Sequence, residues 1–170
     1  MNKLFRKMVA VSAAAAALAT GSNAFAATTA TADARAEILS TLTLAVRTGS
    51  VLDFGQIANN GGGTVVVAAS GARTCSALLV CIGASSPVTF DVAGTPDTGI
   101  VVTLPSSAVT LTGASTSATM SLGSFTSFFP TGNTLVAGAT SFQVGGTLSV
   151  GVAQAADVYN GTFNVSVEYQ

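Results

Sequence analysis

A chain of 170 residues with 8% charged residues, no histidine and no tryptophan suits one domain with a core, and its Gly, Ser, Thr, Ala and Val content favours sheet and turn. Three of its six basic residues, Lys3, Arg6 and Lys7, precede an apolar run, which leaves Arg35, Arg47 and Arg73 against seven carboxylates. Three scattered arginines do not form the clustered cationic face that phosphate neutralisation needs, so nucleic-acid binding is excluded.

Residues 1–26 read as an export signal: the basic start, an apolar run from Met8 to about Ala19, and the small-x-small site Ala24-Phe25-Ala26. The run is too short to cross a hydrocarbon core of ~30 Å as a helix, so cleavage between Ala26 and Ala27 is expected instead of anchoring. No later segment reads as a membrane span. The mature chain would hold 144 residues, carry a formal charge of −4 and contain no lysine.

An arm, residues 27–38, follows. Ala30, Ala32, Ala34, Ala36 and Ile38 alternate with Thr29, Thr31, Asp33, Arg35 and Glu37, which gives an extended strand one small apolar face and one polar face. Such an arm suits a groove lined by another subunit's core, gaining main-chain hydrogen bonds from the strand edges. Two other readings stand beside it: a short helix from Ala34 with Asp33 as its N-cap, and an ordinary first strand in the domain's own sheet.

Residues 39–170 are broken by Gly, Pro, Asn and Ser at intervals of about ten residues, with short β-branched runs between. Leu42, Leu44 and Val46 alternate before a turn at Thr48-Gly49-Ser50, and Leu52 and Phe54 alternate before Gly55. Asn59-Asn60-Gly61-Gly62-Gly63 predicts a hairpin or a flexible loop, since Gly takes positive φ freely and Asn tolerates it. Thr64 to Ala69 predicts a strand covered on both faces. Gly71 to Cys81 carries no clear period, but Cys75 and Cys81 are the only cysteines of an exported chain and are expected to pair as a local staple.

Val88, Phe90 and Val92 alternate, and Gly94 to Gly99 leads into Ile100 to Leu104, which together predict a hairpin. Val109 with Leu111 and Met120 with Leu122 mark two shorter strands, and Phe125 to Gly138 reads as a loop that packs aromatics. Thr140 to Val144, Thr147 to Val150 and Tyr159 to Tyr169 complete the series. In the last of these Phe163, Val165, Val167 and Tyr169 share one face. Eight or nine such strands predict an all-β, immunoglobulin-like β-sandwich over 39–170, with a β-barrel as the alternative.

Chemistry for catalysis is not expected. There is no histidine to act as general base or metal ligand, and neither cysteine has an activating neighbour in the sequence. Asp91 and Asp97 are the nearest approach to a carboxylate pair and read as solvated turn residues; Asp53 matches no calcium-loop spacing. No catalytic, metal or cofactor site is therefore assigned.

Leu52-Asp53-Phe54-Gly55, the run Gly145 to Gly151 and Tyr159-Asn160-Gly161-Thr162-Phe163 resemble a proteobacterial secreted domain family of unknown function, over nearly the whole mature chain. That family is similar in turn to chaperone-usher fimbrial pilins. The resemblance implies an immunoglobulin-like sandwich lacking its last strand, with Ala30, Ala32, Ala34, Ala36 and Ile38 as donor residues. Phe163, Val165, Val167 and Tyr169 would be the terminal strand that pairs with chaperone and donor. It implies as partners copies of the chain or related pilin subunits, a periplasmic chaperone and an outer-membrane usher. Export through the periplasm to the cell surface, with a role in adhesion or biofilm, would follow. The competing expectation is a self-complete module that binds glycan or matrix through loops such as Ile57 to Gly63 or Phe125 to Asn133, or a surface-layer component.

Overall fold

The structure, a computed structural model, describes residues 28–170. The export signal and its cleavage site at Ala26 and Ala27 lie outside the described residues. The chain divides into two units, residues 1–36 and 37–170. In the first, residues 28–36 are exposed and belong to neither helix nor strand. The helix from Ala34 is not formed, as expected for an alanine-rich stretch shorter than the ~12–15 residues an isolated helix needs. Nor is the arm a first strand of its own sheet, because the first ladder begins at Thr43.

The second unit is all-β. Its strands are β1 (Thr43–Val46), β2 (Gln56–Asn59), β3 (Gly63–Val67), β4 (Arg73–Cys75), β5 (Leu79–Ile82) and β6 (Val88–Ala93). They continue as β7 (Ile100–Thr103), β8 (Val109–Gly113), β9 (Thr119–Phe128), β10 (Ala139–Val150), β11 (Tyr159–Asn160) and β12 (Ser166–Tyr169). A large antiparallel sheet runs in the order β1-β6-β10-β9-β8-β11, with β3 on the second half of β10 and β4 on β3. Two small sheets, β2-β5 and β12-β7, form the opposing layer. They cover different parts of the large sheet. Phe54, Ile57 and Leu79 pack with Leu111, Leu122 and Leu148, whereas Ile100, Val165 and Val167 pack with Phe90, Phe142 and Val144. The result is the expected β-sandwich-like fold.

Alternation in the sequence becomes alternation in burial. Val88, Phe90 and Val92 face inward from β6 at 4%, 7% and 2% exposure, while Thr89 and Asp91 face out. β10 is the central strand because Phe142, Val144, Leu148 and Val150 all point to the core, and it holds three neighbours. It pairs with β6 through Val144 and with β3 from Gly146 onward. Gly145 lies where the two partners part, and a β-carbon there would collide with the Val67 carbonyl, so the close approach requires glycine.

Six readings of the chain are corrected. The Asn59–Gly63 segment is not a hairpin, since β2 pairs with β5 and β3 with β10 and β4; the turn carries the chain between layers. The β6–β7 connection crosses in the same way, β7 pairing with β12. β3 buries Val65 and Val67 fully but leaves Thr64 exposed and Val66 half-buried, so its two faces are not equally covered. Finally, Phe125 to Phe128 extend β9, 139–150 is one strand, and 159–169 is two, β11 and β12, in different sheets with 161–165 in neither.

Cys75 and Cys81 form the expected disulfide, with Cα atoms 6.4 Å apart. It joins β4 of the large sheet to β5 of a small one, where no ladder connects them. A closed loop of this length restricts the unfolded chain by about 2 kcal/mol. Replacing both cysteines with serine should lower the stability measured by urea unfolding by about that amount, and the first region to lose amide protection should be β2-β5.

Candidate functional site

A cleft of about 1000 Å³ opens between the segment that ends in β2 and the segment that runs through β11 toward β12. Its floor is the inner face of the large sheet, with Phe90, Leu111, Met120, Leu122, Leu148 and Val150. One wall is the segment 50–59, which ends in β2; the other is the segment 154–163, which leads toward β12. β2 pairs only with β5 and β12 only with β7, so both outer edges of each small sheet are without a further ladder; of these four strands β2 alone lines the cleft. Residues 161–165 lie in no strand, although Phe163 and Val165 are turned inward. Phe163 stacks on Phe125 at 4.7 Å. The cleft therefore presents an apolar floor beside the edge strand β2, with a far wall that is in strand only at β11, where it pairs with β8.

Polar side chains fix its rim. Asn59 donates through Nδ2 to the Gly151 carbonyl at 2.7 Å, and its Oδ1 accepts from the Gly62 N–H at 2.7 Å. Arg73 donates to the carbonyls of Phe54 at 3.0 Å and Gly83 at 2.9 Å, holding the wall at residues 54–55 against the end of β5. On the other wall Gln154 donates to the Tyr159 hydroxyl at 2.7 Å, and that hydroxyl donates to the Ala155 carbonyl. Asp157 accepts at Oδ2 from the Ser115 and Thr116 N–H groups and the Thr116 hydroxyl, and at Oδ1 from the Val158 N–H. Gln154 and Asp157 carry no signal of this role in the sequence, where Arg73 is one of three scattered cations and Tyr159 a strand residue. The Asn59-Asn60 turn pair was the only signal, and it read as a turn.

The Thr116 hydroxyl, and then the Thr116 backbone N–H, hold the Asp157 carboxyl down from 3.8 to about 2. A folded pKa below the unfolded one contributes stability above the unfolded value and loses it as pH falls. The loop 151–158 should accordingly loosen between about pH 4 and pH 2, seen as rising amide exchange at Ser115, Thr116 and Val158. Asp157→Asn should flatten that pH dependence.

The remaining candidates are dispersed. Phe163, Val165, Val167 and Tyr169 come together on the core side of the terminal segment. Ala30, Ala32, Ala34, Ala36 and Ile38 are all exposed, Ile38 at 96%. Asp91 forms an ion pair with Arg47 at 2.6 Å on the outer face of β6, and Asp97 sits in the β6–β7 turn with φ of 57°. Asp53 accepts from the Gly55 N–H at 2.7 Å. Among the described residues no polar side chain is buried and no three potential metal ligands gather. No helix among them is long and apolar enough to cross a membrane.

A family model described as a domain of unknown function (DUF4402) matches residues 44–169. No curated protein and no solved structure matches the chain.

Proposed function

The chain belongs to the DUF4402 family of domains of unknown function, and from that premise we propose that it is a structural subunit of a bacterial surface fimbria assembled by donor-strand exchange. The observation that carries the reading is the edge strand β2, without a ladder on its second side, beside an apolar floor whose far wall runs out of strand at residues 161–163. One inserted strand would join β2-β5 and β12-β7 into a continuous layer. A strand edge without a partner is an aggregation hazard until something covers it, which gives a periplasmic chaperone a task before assembly. At about 1000 Å³ the cleft also lies at the upper end of small-molecule pockets, and its main-chain edges favour a peptide occupant.

The arm supplies a matching occupant. Ten extended residues, 29–38, span about 33 Å, comparable with the ten-residue wall 50–59. Its apolar parity is small, as a narrow floor bounded by Phe163 and Phe54 requires. A neighbouring copy is a better acceptor than the subunit itself. Ser40 is tied to Tyr169, about six extended residues or 20 Å along the terminal segment from Phe163, so half the arm would be spent reaching its own cleft. Giving to one neighbour and receiving from another is a heterologous contact that extends into a fibre. Export through the periplasm, a chaperone and usher as partners, and a role in adhesion or biofilm belong to the same reading.

The test is size exclusion and negative-stain microscopy of periplasmic protein beginning at Ala27 and at Ile38. Filaments or oligomer ladders from the first, absent from the second, are the expected result. Stable monomers from both would overturn it and favour a self-complete binding module, while two-dimensional arrays would indicate a surface layer.

A further inference from the structure

Three groups from distant parts of the chain close a ring of hydrogen bonds at the end of β12. The Tyr169 hydroxyl donates to the Ser40 carbonyl at 2.9 Å; the Ser40 N–H donates to Thr95 Oγ1 at 2.7 Å; the Thr95 N–H donates back to the Tyr169 oxygen at 2.7 Å. Each group is donor to the next, so the three bonds polarise one another. The site is shaped for the hydroxyl. A β-carbon on Gly94 would collide with it, and the side chains of Leu42 and Leu135 close the same space. The ring of Tyr169 packs into the core cluster of Phe90 and Phe142. A phenylalanine would satisfy that packing, which leaves the hydroxyl to be explained by Ser40 and Thr95.

We propose that the Tyr169 hydroxyl is a clamp that ties the root of the N-terminal segment to the terminal strand. Ser40 lies before the first ladder residue, Thr43, and Leu42 packs on the core, so the clamp adds two hydrogen bonds to the main chain ahead of the ladder. With it, residues 40–42 are held between the β6–β7 turn and the chain's last strand. In the fibre reading, on which this part rests, the clamp makes the arm and the cleft wall parts of one path. Tension on the arm would pass from Ser40 to Tyr169 and along 169–163, the segment that borders the cleft receiving the next arm.

The experiment uses the mature chain from Ala27 and its Tyr169→Phe and Thr95→Val variants, followed by residue-resolved amide exchange. In Tyr169→Phe the Thr95 and Ser40 amides should exchange at least about tenfold faster, while Leu44 and Val46 stay protected. Thr95→Val, which keeps the tyrosine, should release Ser40 to a similar degree and serves if the first variant does not fold. Unchanged protection of Ser40 in either folded variant would overturn the clamp. Filaments of Tyr169→Phe, pulled singly, should extend at lower force than wild type by an arm-root length; equal force would overturn the load path. If the wild-type chain makes no filaments, strand exchange fails while the amide result still decides the clamp.

Discussion

Ala34→Asp is expected to abolish filament formation while leaving the melting temperature of the monomer unchanged, and Thr31→Asp is expected to do neither. Both positions are exposed in a segment without helix or strand, so neither carboxylate disturbs the folded unit. The difference arises only if the arm becomes a strand with one face against an apolar floor. Ala34 shares its parity with Ala30, Ala32, Ala36 and Ile38, whereas Thr31 lies on the polar face. A carboxylate buried against leucine and phenylalanine without a partner costs several kcal/mol. Since 1.4 kcal/mol is a factor of ten, assembly by Ala34→Asp should need at least about a hundredfold higher concentration. Sedimentation of polymer against total protein reads this directly. Equal loss in both variants would point to general charge repulsion, and normal yield from Ala34→Asp would remove the arm from the assembly.

The strands that were legible are those whose apolar residues keep a strict period of two. β6 is the clearest; the terminal segment also turns the expected side chains inward, though only Ser166–Tyr169 at its end is strand. β9 was cut short because Met120, Leu122 and Phe125 break that period. The structure restores it with a bulge: pairing with β10 shifts by one residue between Thr126 and Gly123, and Ser124 takes a φ of 48°. An extra residue moves Phe125 to the core face, where it meets Phe163. Strand partners were less legible than strands. Gly94 to Gly99 contains every hairpin residue, yet β6 finds β1 and β10 because its buried face belongs to the large sheet. The cleft could not be read at all from local pattern. Its walls lie a hundred residues apart, and its rim is held by Asn59, Arg73, Gln154 and Asp157, whose partners are mostly backbone carbonyls and N–H groups.

The largest expected loss of stability comes from Phe142→Ala. Phe142 is fully buried at the centre of β10, with Phe90 stacked 5.2 Å away on one side and Phe129 at 5.2 Å on the other. Removing it deletes two aromatic contacts and leaves a cavity in the strand with three neighbours, where little can collapse to fill it. Such a change costs about 3–5 kcal/mol, a large part of the 5–15 kcal/mol that holds a domain together, and should lower the melting temperature by roughly 10 °C. Phe142 itself does not line the cleft, but it braces Phe90, which does. The variant thus separates core packing from cleft filling. A peptide of residues 27–39, at one fixed concentration a hundred times its Kd for the parent protein beginning at Ile38, should add about 2.7 kcal/mol to that parent by linkage. If that gain appears in the parent protein and shrinks in Phe142→Ala, Phe90 is part of the surface the peptide reads. If it is the same in both, the peptide rests on the Leu111, Leu122 and Leu148 end of the floor. No gain in either would mean the arm does not bind the cleft.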